Sequence, residues 1–280
     1  MNNTLVVVSH YNAWPTDQLV ALLDQIKAIP AGCPFDCRVV VNQAKPGPLE
    51  LPPRHADVGV LYRENIGYNI GAWDHGWRVG PPRESYLFLQ EECRILRPGW
   101  LSPFVQAAGQ PGVGFVGESL KYRGYSWDRV AWVVKRDGTY PDDDREGPPL
   151  LFTEGIKRFL ESRGLAVNGR ADHLQSLVLC ARREVLEAVD GFPIGRTKGD
   201  AIGCEVAISL RSVAQGYRIK QVGRTPFTYI LHPQWQYLQY GMTGLAFHWV
   251  KRIVPLPLLP ALVGCSNLVV RWKSRRARSG

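Results

Sequence analysis

Tyr86-Leu87-Phe88-Leu89-Gln90-Glu91-Glu92-Cys93 is an apolar run that ends in acidic residues. An uninterrupted apolar run of this length is typical of a strand that is buried on both faces of a sheet. Such a strand delivers its last side chains to the carboxyl edge of the sheet, which is where open α/β sheets bind ligands. The stretch therefore predicts a central strand with a ligand site at its carboxyl end.

A glycine-containing segment precedes this strand and runs Glu64-Asn65-Ile66-Gly67-Tyr68-Asn69-Ile70-Gly71-Ala72-Trp73-Asp74. Glycine allows a tight turn and a close approach of the backbone to a ligand. A polar cluster follows the glycines into a predicted helix over residues 70–78. We therefore expect this segment to border the same site.

The rest of the first hundred residues alternates between strand and helix patterns. Apolar runs predict strands at 5–8, 37–43 and 58–62, and apolar residues at helical spacing predict a helix at 16–29. This alternation indicates βαβ units and a parallel sheet. The predicted fold class is α/β, with a mostly parallel central sheet flanked by helices, and residues 1–100 form its nucleotide-binding half.

A second half extends the predicted domain from residue 101 to residue 240. Its sequence predicts strands at 112–117, 130–134 and 175–181. It also predicts helices at 183–189 and 201–216, the second of which is closed by a glycine.

The 280 residues are 45% hydrophobic and carry a formal net charge of +9, which favours an anionic partner. Nucleic acid is disfavoured as that partner, because no recognised binding motif accompanies the charge. The six cysteines show no C-x-x-C spacing and the amino terminus resembles no secretory signal, so we expect free thiols in the cytoplasm. A zinc site at Cys33 and Cys37 is the less favoured alternative.

Residues 241–280 form a tail in which an uncharged stretch, 253–270, is flanked by basic residues. Three prolines in this stretch argue against a regular membrane-spanning helix. One hypothesis is peripheral attachment to anionic headgroups on the inner face of the cell membrane. The other is a helix packed on the catalytic domain with a solvated basic end, and the sequence leaves both open.

Four motifs in order resemble one family: residues 6–12, residues 64–73, residues 87–92, and Glu205–Arg211 followed by residues 215–219. The sequence over about residues 4 to 235 is similar to family 2 glycosyltransferases of the GT-A fold, of the rhamnan-synthesis and cell-surface polysaccharide type. The resemblance implies an inverting hexosyl- or deoxyhexosyltransferase. Its donor would be a nucleotide-diphosphate sugar, and its acceptor a cell-surface polysaccharide such as O-antigen or a lipid-linked glycan. Residues 101–240 would bind the acceptor.

The resemblance also implies which residues contact the donor. They are Ser9, Tyr11, Asn12, Asn42, Asn65, Gly67, Asn69, Gln90 and Glu91. Relatives often carry an aspartate at the second strand's end, near Asn42, and many carry one at Asn69. Gln90-Glu91-Glu92 takes the place of the family's Asp-x-Asp motif.

The Asp-x-Asp motif of the family holds a divalent cation, Mn²⁺ or Mg²⁺, that bridges the donor diphosphate. The resemblance places Glu92 and His232 as the metal ligands in this chain. Gln90 offers only a neutral amide oxygen, so weak metal binding and metal independence both stay open. A purely structural role is the alternative for His232.

Glu205 falls on the second acid of the family's Glu-Asp motif, where the general base resides. Inverting transfer needs a carboxylate that takes the proton of the acceptor hydroxyl as its oxygen attacks the anomeric carbon. Asp200 is the competing candidate for this role. A third interpretation is that Glu205 only pairs with a cation such as Arg211.

A different class of function also stays open. The amides at Asn69 and Gln90, where relatives carry acids, fit a catalytically silent module that binds a sugar nucleotide or a glycan.

Overall fold

The structure is a computed structural model that describes residues 3–134, 151–167 and 169–233. Within these ranges the strands are β1 (Thr4–Tyr11), β2 (Asp36–Gln43), β3 (Gly59–Glu64), β4 (Ser85–Gln90), β5 (Arg94–Ile95), β6 (Val113–Gly117), β7 (Leu120–Lys121), β8 (His173–Leu174), β9 (Val178–Arg182), β10 (Arg218–Gln221) and β11 (Ile230–Leu231). The α-helices are α1 (Asp17–Ala28), α2 (Tyr68–Arg78), α3 (Ser102–Ala108), α4 (Trp127–Val134), α5 (Phe152–Ser162), α6 (Arg183–Ala188) and α7 (Lys198–Ala214), and a short 3₁₀ helix covers Pro53–His55.

The central sheet has seven strands in the order β10-β6-β9-β4-β1-β2-β3. Its strands pair in parallel except β9, which runs antiparallel to both β4 and β6. Because β1, β2 and β4 are parallel neighbours, their carboxyl ends meet at one edge of the sheet. The predicted fold class is confirmed.

The core fills both faces of this sheet. In β1, Leu5 and Val7 pack on the face that α2 and α7 cover, whereas Val6 and Val8 pack on the face that α1 and α3 cover. A strand whose side chains are buried on both sides reads as a continuous apolar run, which explains the pattern of β1 and β4. Trp73 of α2 is fully buried and donates its indole N–H to the Leu89 carbonyl of β4 at 3.0 Å.

The prediction of a strand at 130–134 is wrong, because α4 covers this run. Trp127 and Val130 are both buried and lie three residues apart, which matches one face of a helix. A short apolar run by itself does not separate a buried helix from a buried strand.

Other elements differ from the prediction only at their ends. The strand expected at 175–181 begins at Val178, and the helix expected from residue 201 begins at Lys198. None of the helices within the described ranges is both long and apolar enough to cross a bilayer. The tail predicted over residues 241–280 lies outside the described residues.

Candidate active site at the carboxyl edge of the sheet

Three segments that are distant in sequence meet at the backbone of Ser176. Its carbonyl oxygen accepts hydrogen bonds from Asn69 Nδ2 at 3.1 Å and from Gln90 Nε2 at 2.7 Å. Its amide and its hydroxyl both donate to Glu205 Oε2, at 2.7 and 2.9 Å. The structure therefore brings together Asn69, Gln90 and Glu205, which are three of the predicted site residues.

Glu205 projects from α7, and its side chain is 12% exposed. Its second carboxylate oxygen, Oε1, lies 3.4 Å from Nε2 of the buried His173. Burial raises the pKa of Glu205, but His173, Lys121 and the Ser176 amide outweigh burial and lower that pKa to about 2. Glu205 is therefore a carboxylate at neutral pH.

The groups that interact with Glu205 are the His173 imidazole and the cation Lys121 rather than the predicted Arg211. Arg211 lies six residues further along α7, which places it on a different face of the helix at 3.6 residues per turn. The interpretation of Glu205 as the partner of Arg211 is corrected accordingly.

Asp200, the competing base, lies at the amino terminus of α7 and caps the helix. Its carboxylate accepts from the amides of Arg196 at 3.1 Å and Thr197 at 3.4 Å, while its own amide donates to the Thr197 hydroxyl. This reciprocal pair is a capping box, which satisfies amides that have no partner within the helix. The contacts favour a structural role for Asp200.

The two predicted metal ligands lie beside each other. β5 follows Glu92 directly and pairs antiparallel with β11, which precedes His232. This pairing brings His232 Nε2 to 3.8 Å from Glu92 Oε2. Burial raises the pKa of Glu92, but the His232 imidazole outweighs burial and the pKa lies below its ordinary value. Over the described part of the chain, no group of three or more His, Cys, Asp or Glu side chains is arranged to hold a metal ion.

Glu91 points into the protein, in contrast to the predicted donor contact. Its carboxylate lies 2.5 Å from Nδ1 of His10 and accepts from the Tyr11 amide at 3.2 Å. Both side chains are at least 96% buried. Glu91 therefore joins the end of β1 to the end of β4 instead of facing a ligand.

Three further residues that were predicted to contact the sugar donor instead form hydrogen bonds with backbone groups of neighbouring segments. Ser9 donates to the Leu89 carbonyl at 3.3 Å. Asn42 is buried, donates to the Tyr68 carbonyl at 2.9 Å and accepts from Arg63 at 2.6 Å. Asn12 donates to the Lys45 carbonyl at 2.8 Å and accepts from the Ala44 amide at 2.7 Å. These side chains therefore hold the backbone at this edge of the sheet.

Other predicted residues line the rim of the same edge. Tyr11 and Asn65 are half-buried, and Gly67 stands before α2 with a φ of 79°. A Cβ at Gly67 would approach Ile194 Cγ2 to 2.8 Å, so both the backbone angle and the space require glycine. Trp14, which the sequence did not single out, is 53% exposed and contacts Tyr11 edge-on at 5.7 Å between ring centroids.

Glu118 holds the segment that carries His232. Its buried carboxylate accepts from the amides of Thr228, Tyr229 and Ile230 at 2.7 to 2.8 Å. Burial raises the pKa of Glu118 to about 7, although these amides and Arg97 act in the opposite direction. This residue was not predicted, because its partners are backbone groups more than a hundred residues away.

The raised pKa of Glu118 predicts a pH-dependent stability. The stabilisation of the folded state by Glu118 is complete below the ordinary carboxyl pKa of 4.5, and it is lost as the pH rises through about 7. We expect the advantage in unfolding free energy of the wild type over Glu118→Gln to shrink by about 2 kcal/mol between about pH 5 and 8. Urea unfolding at both pH values measures it. The exposed Glu161→Gln is the control, and an advantage that stays constant with pH would contradict the assignment.

Comparisons with known proteins agree with the sequence motifs. No family model matches the chain. The O-antigen biosynthesis protein RfbC of Myxococcus xanthus is 28% identical over 148 residues, which cover 51% of this chain and 10% of that protein. The chain therefore spans about a tenth of the length of this curated relative.

Solved structures resemble the chain over most of its length. A mannosyltransferase from Pyrobaculum calidifontis in complex with GDP-Man and Mn²⁺ is 18% identical with a TM-score of 0.49, covering 93% of this chain and 68% of that one. TarS residues 1–349 of S. aureus are 14% identical with a TM-score of 0.48, covering 82% and 60%.

Proposed function

We propose that the chain is an inverting glycosyltransferase that moves a sugar from a nucleotide-diphosphate donor to a cell-surface polysaccharide or a lipid-linked glycan. One observation carries the proposal. Glu205, an ionised carboxylate, lies at the same sheet edge as the glycine-containing segment and the end of β4, and hydrogen bonds through Ser176 join all three. A proton acceptor therefore lies beside the crevice in which this fold class binds ligands.

The chemistry requires one base and a stabilised leaving group. Glu205 takes the proton of the acceptor hydroxyl while that oxygen bonds to the anomeric carbon from the face opposite the diphosphate. The bond between the anomeric carbon and the diphosphate breaks, and its electron pair leaves with the nucleotide. The hydroxyl becomes more acidic as its oxygen bonds to carbon, so a carboxylate of low pKa accepts the proton late in the step.

The chain also presents two groups that fit a divalent cation. Glu92 Oε2 and His232 Nε2 lie 3.8 Å apart, and oxygen and nitrogen donors at that separation can share one ion. Mn²⁺ or Mg²⁺ held there would neutralise negative charge on the departing diphosphate. Gln90 donates its side-chain N–H to the Ser176 carbonyl, and its amide oxygen would be at most a neutral ligand for the ion.

The nature of the acceptor is inferred from the relative. RfbC is named for O-antigen biosynthesis, and a glycan acceptor suits the same sheet edge. A cytoplasmic location, with residues 241–280 attached peripherally to the inner face of the membrane, belongs to the same proposal. Flotation of the full chain and of a chain ending at Trp249 with anionic liposomes tests the attachment, which is refuted if both float equally.

A donor screen tests the activity. Uridine, guanosine and deoxythymidine diphosphates and their sugars are offered to the full chain with and without Mn²⁺, and stabilisation is followed by thermal shift. The donors that bind are then assayed for transfer to a polysaccharide or lipid-linked acceptor. Transfer with inversion at the anomeric carbon is expected. Tight binding without transfer or donor hydrolysis would instead identify a silent binding module.

A further inference from the structure

The two amides that depart from the family pattern share one acceptor. The resemblance predicts acids at these two positions, whereas Asn69 and Gln90 both donate a hydrogen bond to the Ser176 carbonyl. An ionised carboxylate has no proton to donate, so an acid at either position would place negative charge against that carbonyl oxygen. The two amides therefore have a common structural consequence, which is to hold the Ser176 carbonyl.

The opposite side of Ser176 holds the proposed base. Its amide and hydroxyl both donate to Oε2 of Glu205, and Ser176 is 7% exposed. Oε1 faces His173 at 3.4 Å, and among the described residues it receives no such pair of donors. Of the two carboxylate oxygens, Oε1 is therefore the less strongly hydrogen-bonded and the one that can accept a proton from the acceptor hydroxyl.

The segment around Ser176 is fixed from other directions too. His173 Nδ1 lies 2.9 Å from the Ala171 carbonyl, and the Leu174 amide donates to the Ser209 hydroxyl of α7 at 3.0 Å. The Gln175 amide donates to the Ser119 carbonyl at 3.0 Å. The Ser176 carbonyl belongs to the peptide unit shared with Leu177 and the Ser176 amide to the unit shared with Gln175, so the contacts on the two sides meet through the φ and ψ angles of Ser176.

We infer that Ser176 is a positioning residue. Asn69 and Gln90 fix Ser176 through its carbonyl, and Ser176 in turn fixes the orientation of the Glu205 carboxylate. We call this chain of contacts the relay. The inference rests on the proposed function in one respect, namely that Glu205 is the base. It gives Asn69 and Gln90 a task other than metal ligation or direct donor binding. It also predicts that loss of the Gln90 donor affects turnover more than donor affinity.

Gln90→Met tests the first hydrogen bond of this relay, because methionine is similar in length and has no N–H to donate. The Ser176 amide is bonded to Glu205 and not to Gln90, so its hydrogen exchange reports whether the change at the carbonyl reaches the contact with Glu205. We expect this exchange to become about tenfold faster, which corresponds to weakening by about one hydrogen bond. We also expect kcat to fall about tenfold, with the donor KM changed less than twofold. Gln106→Met, at an exposed position of α3, is the matched control.

Ser176→Ala tests the hydrogen bond between the Ser176 hydroxyl and Glu205. Removing the hydroxyl that donates to the ionised carboxylate raises the pKa of Glu205, so the acid limb of the kcat–pH profile should move to higher pH. A loss of stability alone would leave this limb in place. In the double variant with Gln90→Met, the two losses in kcat should be less than additive, because both act on the placement of Glu205 through the same residue.

Unchanged exchange at Ser176 in Gln90→Met, or an unmoved acid limb in Ser176→Ala, would overturn the relay. Failure of the proposed function shows separately, as a wild-type chain that transfers no sugar or a Glu205→Gln chain that transfers it normally. The exchange measurement needs no turnover, so it tests in either case whether Gln90 influences the bond between the Ser176 amide and Glu205.

Discussion

Glu205→Gln will lower kcat by about 10²- to 10⁴-fold, which is the range that general base catalysis contributes. Glutamine keeps the shape of the side chain and can still accept from Ser176, but its amide takes no proton from an alcohol. The fold and the affinity for nucleoside diphosphate should stay close to the wild type, because the donor-side segments are not altered. Steady-state transfer and isothermal titration with the diphosphate measure the two quantities.

Two companion variants make the result decisive. Glu161→Gln, an exposed position on α5, should leave kcat unchanged. Asp200→Asn should lower the unfolding free energy by less than about 1 kcal/mol, because the negative charge at the positive amino terminus of α7 is lost while Thr197 still caps the helix, and kcat should change only a few-fold. Transfer that survives in Glu205→Gln and disappears in a folded Asp200→Asn would move the base to Asp200.

The acid limb of the wild-type profile follows from the same contacts. His173, Lys121 and Ser176 hold the pKa of Glu205 near 2 in spite of burial. The lowered pKa means that Glu205 stabilises the fold above its ordinary carboxyl range and that this contribution is lost as the pH falls towards 2. Turnover should therefore stay flat to lower pH than an ordinary glutamate would permit.

The sequence predicted the sheet well because its signals are local. A strand buried on both faces, such as β4, needs a continuous apolar run, and that run is visible without the fold. The segment at 130–134 is also a short apolar run, but it belongs to a helix, because a buried helix is apolar too. Only the helix-compatible spacing of Trp127 and Val130 separates the two cases, and both residues are needed to see it.

The contacts within the site were predicted less completely, because they join distant segments. Glu205 and Glu92 lie in short motifs, whereas Ser176 and His173 stand in no motif, and the partners of Ser176 lie between 29 and 107 residues away. Gln90 shows the limit most clearly. From the sequence it is a lost metal ligand, and in the structure it is a hydrogen-bond donor to a carbonyl that no pattern in the chain marks.

Glu91 is a second residue whose contacts in the structure differ from the role that its sequence position suggests. Its place between Gln90 and Glu92 suggested a ligand contact, but alternation along β4 turns it to the face where Leu87 and Leu89 are buried. His10 lies on the same face of the neighbouring strand, so the two side chains meet inside the protein. Glu91 and Glu92 are adjacent acids at the end of one strand, yet Glu91 faces the core and Glu92 lies beside His232. The sequence alone does not distinguish these two environments.

Glu92→Gln will weaken Mn²⁺ binding in the presence of nucleoside diphosphate by roughly 10- to 100-fold, a loss at least as large as metal sites suffer when a supporting residue is removed. An amide oxygen is neutral and coordinates a hard cation less strongly than a carboxylate. Without nucleotide, wild-type binding should already be weak, since Glu92 and His232 supply two ligands. Titration of Mn²⁺ with and without the diphosphate measures both effects.

The matched control for this metal prediction is Glu50→Gln, an exposed position remote in sequence from the β5–β11 pair, which should bind Mn²⁺ as the wild type does. Equal Mn²⁺ affinity in wild type and Glu92→Gln would remove Glu92 from the site. Wild-type transfer that persists in EDTA would show that replacing the first acid by Gln90 had ended metal use altogether. In that case the Gln90 amide would serve only the Ser176 carbonyl, and charge on the leaving diphosphate would have to be stabilised by other donors at the edge of the sheet.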